Sequence, residues 1–380
     1  MRKLIVLGAD YYVRNLVIAG AFDELEDEET YYVGAARGMR HAGSLEALRA
    51  RPNFLGLIPD ERPRRAKPYA NLQLLLLCAL RDRSRTMAHK VRLLPWWQRW
   101  RFKAAAHPRL RGRLVRWYLR RAGRNRPLHE LMADLRPDVV IAPSGGIDHF
   151  VTDAVRSARE LGITSVVVAH NWDNLSSKGA FPVKPDHLVV WGPQSVDHAV
   201  RIHGFRREQV HVAGVPSFDS YFRHAPGSTR SPFPFRYVLF AGCYAPFDEA
   251  AALERLDRVV EEHGLDVTIV YRPHPHRRPR ARPDRVDEAR LRHVVLDPQV
   301  RELYEASFDE YRPGAVRPKP EFPALDYYPA LLEHAAFVVC PLSTMIVEAA
   351  IFERRVIVIA YDDGVHRASP AAVVDYDHFE

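Results

Sequence analysis

Cysteine is scarce in this chain. Cys78, Cys243 and Cys340 are the only three in 380 residues, and they form no CxxC pair. That excludes a disulfide framework and a cysteine-built metal centre, and reads as small buried hydrophobes in a reducing cytoplasm. Long apolar runs are missing too. The longest, LLLLCAL at 74–80, falls far short of the roughly 20 residues that cross a bilayer. The opening MRKLIVLGAD is broken by Asp10 before a signal-peptide core could form. The chain is therefore expected to be soluble or to rest on a membrane. There is no HExxH and no HxH flanked by carboxylates, and HPH at 274–276 alone is weak, so no metal is expected. GxGxxG and Walker loops are absent. So are helix-turn-helix, zinc-finger and RNA-recognition signatures.

Acid is missing from one stretch in particular. Residues 81–126 hold sixteen Lys and Arg against one acid, Asp82. That window carries +15 in a chain of net +8, so the remainder sums to −7. One basic face on an otherwise acidic protein implies a polyanionic surface as partner. Within the window, LLPWWQRWRF (93–102) and LRGRLVRWYLRR (110–121) interleave Arg and Trp at helical spacing. Trp96, Trp97, Arg99, Trp100 and Arg101 are the mix expected of a helix lying among lipid headgroups. A solvated helix with inward-packed aromatics is the plain alternative. Nucleic acid, bound through phosphates and stacking, ranks below membrane because no recognition signature accompanies the patch.

What is present is enough apolar material, at 47%, for two cores, and 380 residues make two domains the default. Short apolar strands recur at KLIVLG (3–8), YYVGA (31–35), DVVIA (138–142), SVVVA (165–169), HLVVW (187–191) and VHVAG (210–214). Residues 71–126 are mostly helical. RHAPGSTRSPFPF (223–235) has no periodicity and several Pro and Gly, which marks a linker at 226–235. Alternation restarts with YVLFAG (237–242), VTIVY (267–271), HVVLD (293–297), FVVC (337–340) and VIVIA (356–360), with helices over 247–263 and 343–353. The pattern predicts α/β architecture in two Rossmann-like domains, 1–225 and 236–380, with a basic helical insertion at 71–126 in the first.

In a parallel sheet, ligands sit beyond the C-terminal ends of strands. Six strand-end loops therefore matter, AGCYAPFDE (241–249) among them as a place where a ligand or the domain cleft could lie. After VTIVY come Arg272, His274 and His276. A guanidinium fork matches phosphate oxygens, and an imidazole can hydrogen-bond a diphosphate or protonate a leaving phosphate. PLSTMIVEAA places Ser343 and Thr344 at a helix start, where free N–H groups favour an anion. They are also ordinary caps. Glu348, one turn on, could bind a ribose diol. HNWDNLSSKG (170–179) offers His170 as a base, Asp173 as its orienting partner or alternative base, and Asn171 and Asn174 as donors to sugar hydroxyls. A turn rich in Asn and Ser explains the same residues. PSGGID lets backbone at Gly145 and Gly146 approach a ligand, and Asp10 after the first strand could touch an acceptor or cap a helix.

The opening GADYYVRNLV, the HNWDN loop, RPHP at 272–275 and LSTMIVEAA at 342–350 resemble glycosyltransferases of the GT-B type. Among these the layout is most similar to the CDP-glycerol glycerophosphotransferase group and to bacterial surface-polysaccharide transferases. The resemblance implies two Rossmann-like domains facing a central cleft and a metal-independent transfer without cofactor. Arg272, His274, Ser343 and Thr344 would contact the phosphates of a nucleotide-sugar or CDP-glycerol-like donor, and a first-domain histidine would act as base. That group has an aspartate after its serines where this chain has Glu348, which favours a sugar nucleotide. The acceptor expected is a glycan or lipid-linked hydroxyl, met at the inner face of the cell membrane by a cytoplasmic, peripheral protein. The second half ends at DYDHFE, short for a type that returns a C-terminal helix to the first domain; either that helix is absent or the chain is truncated. A sugar-nucleotide epimerase on the same fold, or a non-catalytic lipid- or nucleic-acid-binding protein, are the rival readings.

Overall fold

In a computed structural model the chain is described at residues 1–59, 62–144, 146, 148–178, 180–223, 225, 227–243, 247–274, 285–306, 320–362, 364 and 373–380. It divides into two compact units: 1–216 with 375–380, and 217–374.

The first unit is built on a parallel sheet of seven strands: β1 (Lys3–Leu7), β2 (Thr30–Ala35), β3 (Phe54–Ile58), β4 (Val139–Ser144), β5 (Thr164–Ala169), β6 (His187–Val190) and β7 (Val210–Val212). Their order is β3-β2-β1-β4-β5-β6-β7. The central strands are buried on both faces, which is why they read as continuous apolar runs and not as alternating ones. One face packs Leu4, Val6, Val140, Phe150 and Val167; the other packs Ile5, Leu7, Tyr12, Tyr32 and Leu48.

Between β3 and β4 the chain inserts helices α1 (Arg62–Leu80), α2 (Arg85–Leu93), α3 (Trp96–Ala105), α4 (Pro108–Ala122) and α5 (Arg126–Leu135). The first four share a core of their own around Tyr69, Leu72, Leu75, Cys78, Phe102 and Tyr118. Each start has a local cause. Ser84 accepts Met87 N–H at 3.1 Å, Asn125 accepts Leu128 N–H at 3.0 Å, and Pro95 and Pro108 separate helices that would otherwise fuse. Helix α6 (His149–Leu161) follows β4, capped by Asp148 and closed by Gly162 at φ 72°.

The second unit carries five parallel strands: β8 (Tyr237–Ala241), β9 (Thr268–Arg272), β10 (Val294–Leu296), β11 (Val338–Pro341) and β12 (Val356–Ile359). Their order is β10-β9-β8-β11-β12. Helices α7 (Glu249–Glu262), α8 (Tyr327–Glu333) and α9 (Met345–Ile351) cover it. All three cysteines are buried, and none forms a disulfide.

Two boundaries differ from those read in the sequence. The stretch expected to be a linker belongs to the second unit: Thr229 N–H donates to Glu333 at 3.2 Å, and the Thr229 hydroxyl bonds the same carboxylate. The last six residues belong to the first unit, where Asp377–Phe379 form a single 3-10 turn. Asp377 there accepts from the hydroxyls of Ser84 at 2.5 Å and Thr86 at 2.9 Å, and from Thr86 N–H at 3.1 Å. Among the described residues, no helix is long and apolar enough to cross a membrane.

Candidate functional site

In each sheet the first strand has its chain neighbour on one side and a later strand on the other. The order reverses there, between β1 and β4 in the first unit and between β8 and β11 in the second. Such a switch point leaves a crevice at the C-terminal strand ends, and side chains carried there are placed to meet a ligand.

In the second unit, the turn after β8 and the turn before α9 flank that crevice. Gly242 follows β8, and a Cβ there would lie 2.5 Å from the Glu249 carboxylate, so only glycine permits the close approach. Glu249 is fully buried and accepts from Cys243 N–H at 2.9 Å and from the Tyr271 hydroxyl at 2.7 Å, which fixes the turn. Across the crevice, Ser343 Oγ accepts Met345 N–H at 3.3 Å, a capping role, with its hydroxyl half-buried. Burial pushes the neighbouring Cys340 thiol up to about 12, with Ser343 pulling the other way, so the thiol stays protonated. Glu348 accepts from the Tyr221 hydroxyl at 2.5 Å, and Tyr221 stacks on Phe218 at 5.1 Å.

Strand β9 lies next to β8, and His274 sits half-buried two residues beyond its end. Arg272 is a finding of a different kind. The sequence reading gave it to donor phosphates, but its guanidinium is buried and ion-paired with Asp297 at the end of the neighbouring β10. The Tyr328 ring lies 4.4 Å below it and the Tyr327 ring 5.6 Å away, while the Tyr327 hydroxyl donates to Asp297 at 2.8 Å. Burial opposes its charge, but Tyr328 and Asp297 outweigh burial and hold the pKa above the ordinary guanidinium value. These contacts are structural ones: Arg272 braces the strand end that carries His274. Pro275 and His276 lie outside the described residues.

In the first unit, His170 ends β5 with its ring edge-on to Tyr11 at 4.9 Å and to Tyr12 at 5.2 Å. Burial lowers its pKa to about 4, with Asp173 opposing and Lys178 reinforcing, so the imidazole is neutral at pH 7. Its Nδ1 is buried without a hydrogen-bond partner among the described residues, so Asp173 does not orient the ring as expected. Asp173 instead accepts from the Ser177 hydroxyl at 2.6 Å and pairs with Lys178 at 3.4 Å. Burial raises its pKa, but Lys178 and Ser177 win and keep it ionised. Asn174 is buried, and its side-chain carbonyl accepts Asn171 N–H at 2.8 Å. The Asn171 side chain accepts Trp172 N–H at 2.9 Å. Both asparagines thus shape their own turn, the plain role set against sugar binding above.

Asp10 is buried and accepts Arg40 N–H at 2.9 Å and His41 N–H at 3.2 Å. That knits the β1 turn to the segment after β2, where Gly38 has its missing Cβ 2.0 Å from the Gly8 carbonyl. Gly146 N–H donates to Ser144 Oγ at 3.0 Å in the turn after β4, and Gly145 lies outside the described residues. Among the described residues no group of three or more His, Cys, Asp or Glu could hold a metal. Trp96, Trp97, Trp100 and Arg101 are exposed on α3, with Arg99 half-buried.

Sequence reasoning missed Asp297, Tyr327 and Tyr221, and marked the loop that ends in Glu249 without giving that residue a role. For Asp297 a signal existed: it closes an apolar strand, HVVLD, as Arg272 closes VTIVY. The tyrosines had none, because their partners are brought to them only by the fold.

No family model and no curated protein matches the chain. Solved structures do. UDP-GlcNAc 2-epimerase from Neisseria meningitidis bound to UDP-GlcNAc aligns with a TM-score of 0.52 at 10% identity, over 98% of this chain and 85% of that one. The MnaA–UDP co-structure from S. aureus gives 0.51 at 12%, over 94% and 79%. UDP-N-acetylglucosamine 2-epimerase from Rickettsia bellii gives 0.50 at 11%, over 94% and 78%. At such identities the likeness is one of fold: two parallel α/β sheets of the GT-B type, as the sequence led us to expect.

Proposed function

We propose that the chain binds a nucleotide-activated sugar through its second unit and transfers the sugar to a hydroxyl of a cell-envelope glycan or lipid-linked acceptor. The observation that carries the reading is the reversal of strand order between β8 and β11, flanked by the Gly242 turn and by Ser343 and Thr344. In this reading Ser343, Thr344 and His274 face the diphosphate, Glu348 takes the ribose diol, and Arg272 holds the strand end through Asp297.

In the first unit His170 is assigned the proton of the acceptor hydroxyl, because its imidazole is neutral at pH 7. The acceptor oxygen attacks the anomeric carbon, the bond from that carbon to the phosphate oxygen breaks, and the electron pair leaves with the nucleotide diphosphate. A single displacement of this kind inverts the anomeric centre. Asp173, ionised and already bonded, is the second choice of base. No resident metal is assigned, and a glycerol-phosphate donor ranks behind a sugar nucleotide.

A second reading, a sugar-nucleotide epimerase, is favoured by the solved neighbours, which are UDP-GlcNAc 2-epimerases. One experiment separates the two. UDP-GlcNAc, the first donor to try because a neighbour was captured with it, is incubated alone and then with lipid-linked or glycan acceptors. Release of UDP that requires acceptor supports the transferase; a new sugar nucleotide from donor alone supports the epimerase; neither, across a panel of donors, removes both.

A further inference from the structure

Helix α3 has its faces reversed. At 100° per residue, Trp96, Trp97 and Trp100 fall within about 100° of arc, opposite the buried Phe102. Water-facing helix surfaces ordinarily carry polar residues, yet here the tryptophans are 74%, 49% and 75% exposed. Lys103 and Arg101, both exposed, flank them on either side. Helix α4 repeats the arrangement more weakly. Leu110 and Trp117, seven residues apart, are 48% and 46% exposed, among exposed Arg109, Arg113, Arg116 and Arg120.

The charge is also unspent. Between Arg92 and Arg121 there are ten Lys and Arg and no acid. None of the ten makes an ion pair among the described residues, although Arg81, Arg85 and Arg124 nearby each do. A packed protein interface would neutralise such cations with carboxylates. A sheet of lipid phosphates neutralises them as a plane, while the exposed indoles sit at the headgroup level.

We infer that α3 and α4 form a docking face for an anionic lipid bilayer, with the α3 tryptophans inserted and the α4 arginines at the phosphates. The inference stands on this surface alone and is independent of the nucleotide reading. The occupant is a membrane, not nucleic acid: stacking on bases would need spaced aromatic platforms along a groove, whereas these indoles cluster on one convex helix.

Co-sedimentation of the full chain with phosphatidylcholine vesicles, with and without phosphatidylglycerol, tests it. The expected result is binding to anionic vesicles only, falling with salt, and a blue shift of tryptophan emission on binding. Four of the six tryptophans lie in this face, so emission reports on it directly. The triple variant W96A/W97A/W100A should lose about tenfold or more of that binding while keeping its melting temperature. The variant R113E/R116E/R120E, which leaves the indoles in place, should lose it too. Unchanged binding in both variants, absence of an emission shift in the unaltered protein, or binding to single-stranded RNA without binding to vesicles would each overturn the inference.

Discussion

The two units wind their sheets alike and each buries an arginine–aspartate pair, but among the described residues only the first also buries neutral imidazoles. The first buries imidazoles and keeps them neutral. His170, His203 and His378 are all lowered to about 4, with burial the largest cause in each. The second has no buried imidazole of that kind among its described residues. It buries a full charge, Arg272, and keeps it charged with Asp297 and the tyrosine rings. The difference teaches where each unit is sensitive. A neutral buried base fails by gaining a proton, and a locked ion pair fails by losing a partner.

The largest effect should come from unlocking the pair. Asp297→Ala leaves a buried guanidinium without its carboxylate and should cost the second unit about 3–5 kcal/mol in urea unfolding. Among the described residues the first unit has a comparable pair, Arg65 with Asp153 at 2.6 Å, where Tyr69 also donates to Asp153 at 2.9 Å. Asp153→Ala should cost it a similar amount. A loss under about 1 kcal/mol at Asp297 would break the contrast.

Acid should then act on the first unit alone. A histidine whose folded pKa lies below its unfolded value contributes stability above pH 6.5 that is lost as pH falls toward 4, because the unfolded chain binds the extra proton. For the buried His203, from 6.5 to about 4, this amounts to about 3 kcal/mol. The lowered carboxylates of the second unit, Glu261, Glu288 and Glu333, act only below their ordinary value of 4.5. Melting followed from pH 7 to pH 5 should lower one transition and leave the other in place. Parallel loss would show that the units do not differ in this way.

Smaller effects sharpen the picture. Asp377→Ala removes three short bonds to the start of α2 and should cost the first unit about 1–2 kcal/mol by denaturant melting. Tyr221→Phe removes the hydroxyl that holds Glu348. It should cost about 1 kcal/mol of stability and weaken nucleotide binding by about fivefold in calorimetry. Equal nucleotide affinity in the variant would detach Glu348 from the ribose.

Strands were the legible part of the sequence. KLIVL, SVVVA and VTIVY carry buried β-branched runs too dense for surface helices, and each appears within a residue or two of its expected limits. Strand β3 was missed because FLGLI is short and holds Gly56 at φ 106°. After β1, Val13, Leu16, Val17, Ala21 and Leu25 recur at helical spacing, yet the chain forms a three-residue helix Asp10–Tyr12 followed by a wider turn Val13–Ile18, a local winding that apolar spacing does not encode. Strand-end loops were legible as places and less so as roles. Arg272 and His274 do lie at the end of β9 and Ser343 beyond β11, the two strands that flank β8, but the partners of Arg272 come from β10 and α8, elements separated from it by many residues. Asn171 and Asn174 show the same limit: a polar loop can be polar for its own turn. The tryptophans were legible as residues, while their exposure required knowing which face Phe102 took.

The central claim is that the second unit holds a nucleotide at its β8–β11 crevice. Thermal unfolding of the full chain against UDP, CDP, GDP and CMP tests it most directly. One of them, at a hundred times its dissociation constant, should stabilise the protein by about 2.7 kcal/mol, with the gain reduced when Ser343 is replaced by alanine. Identical melting in every nucleotide, up to millimolar concentration, would contradict the account.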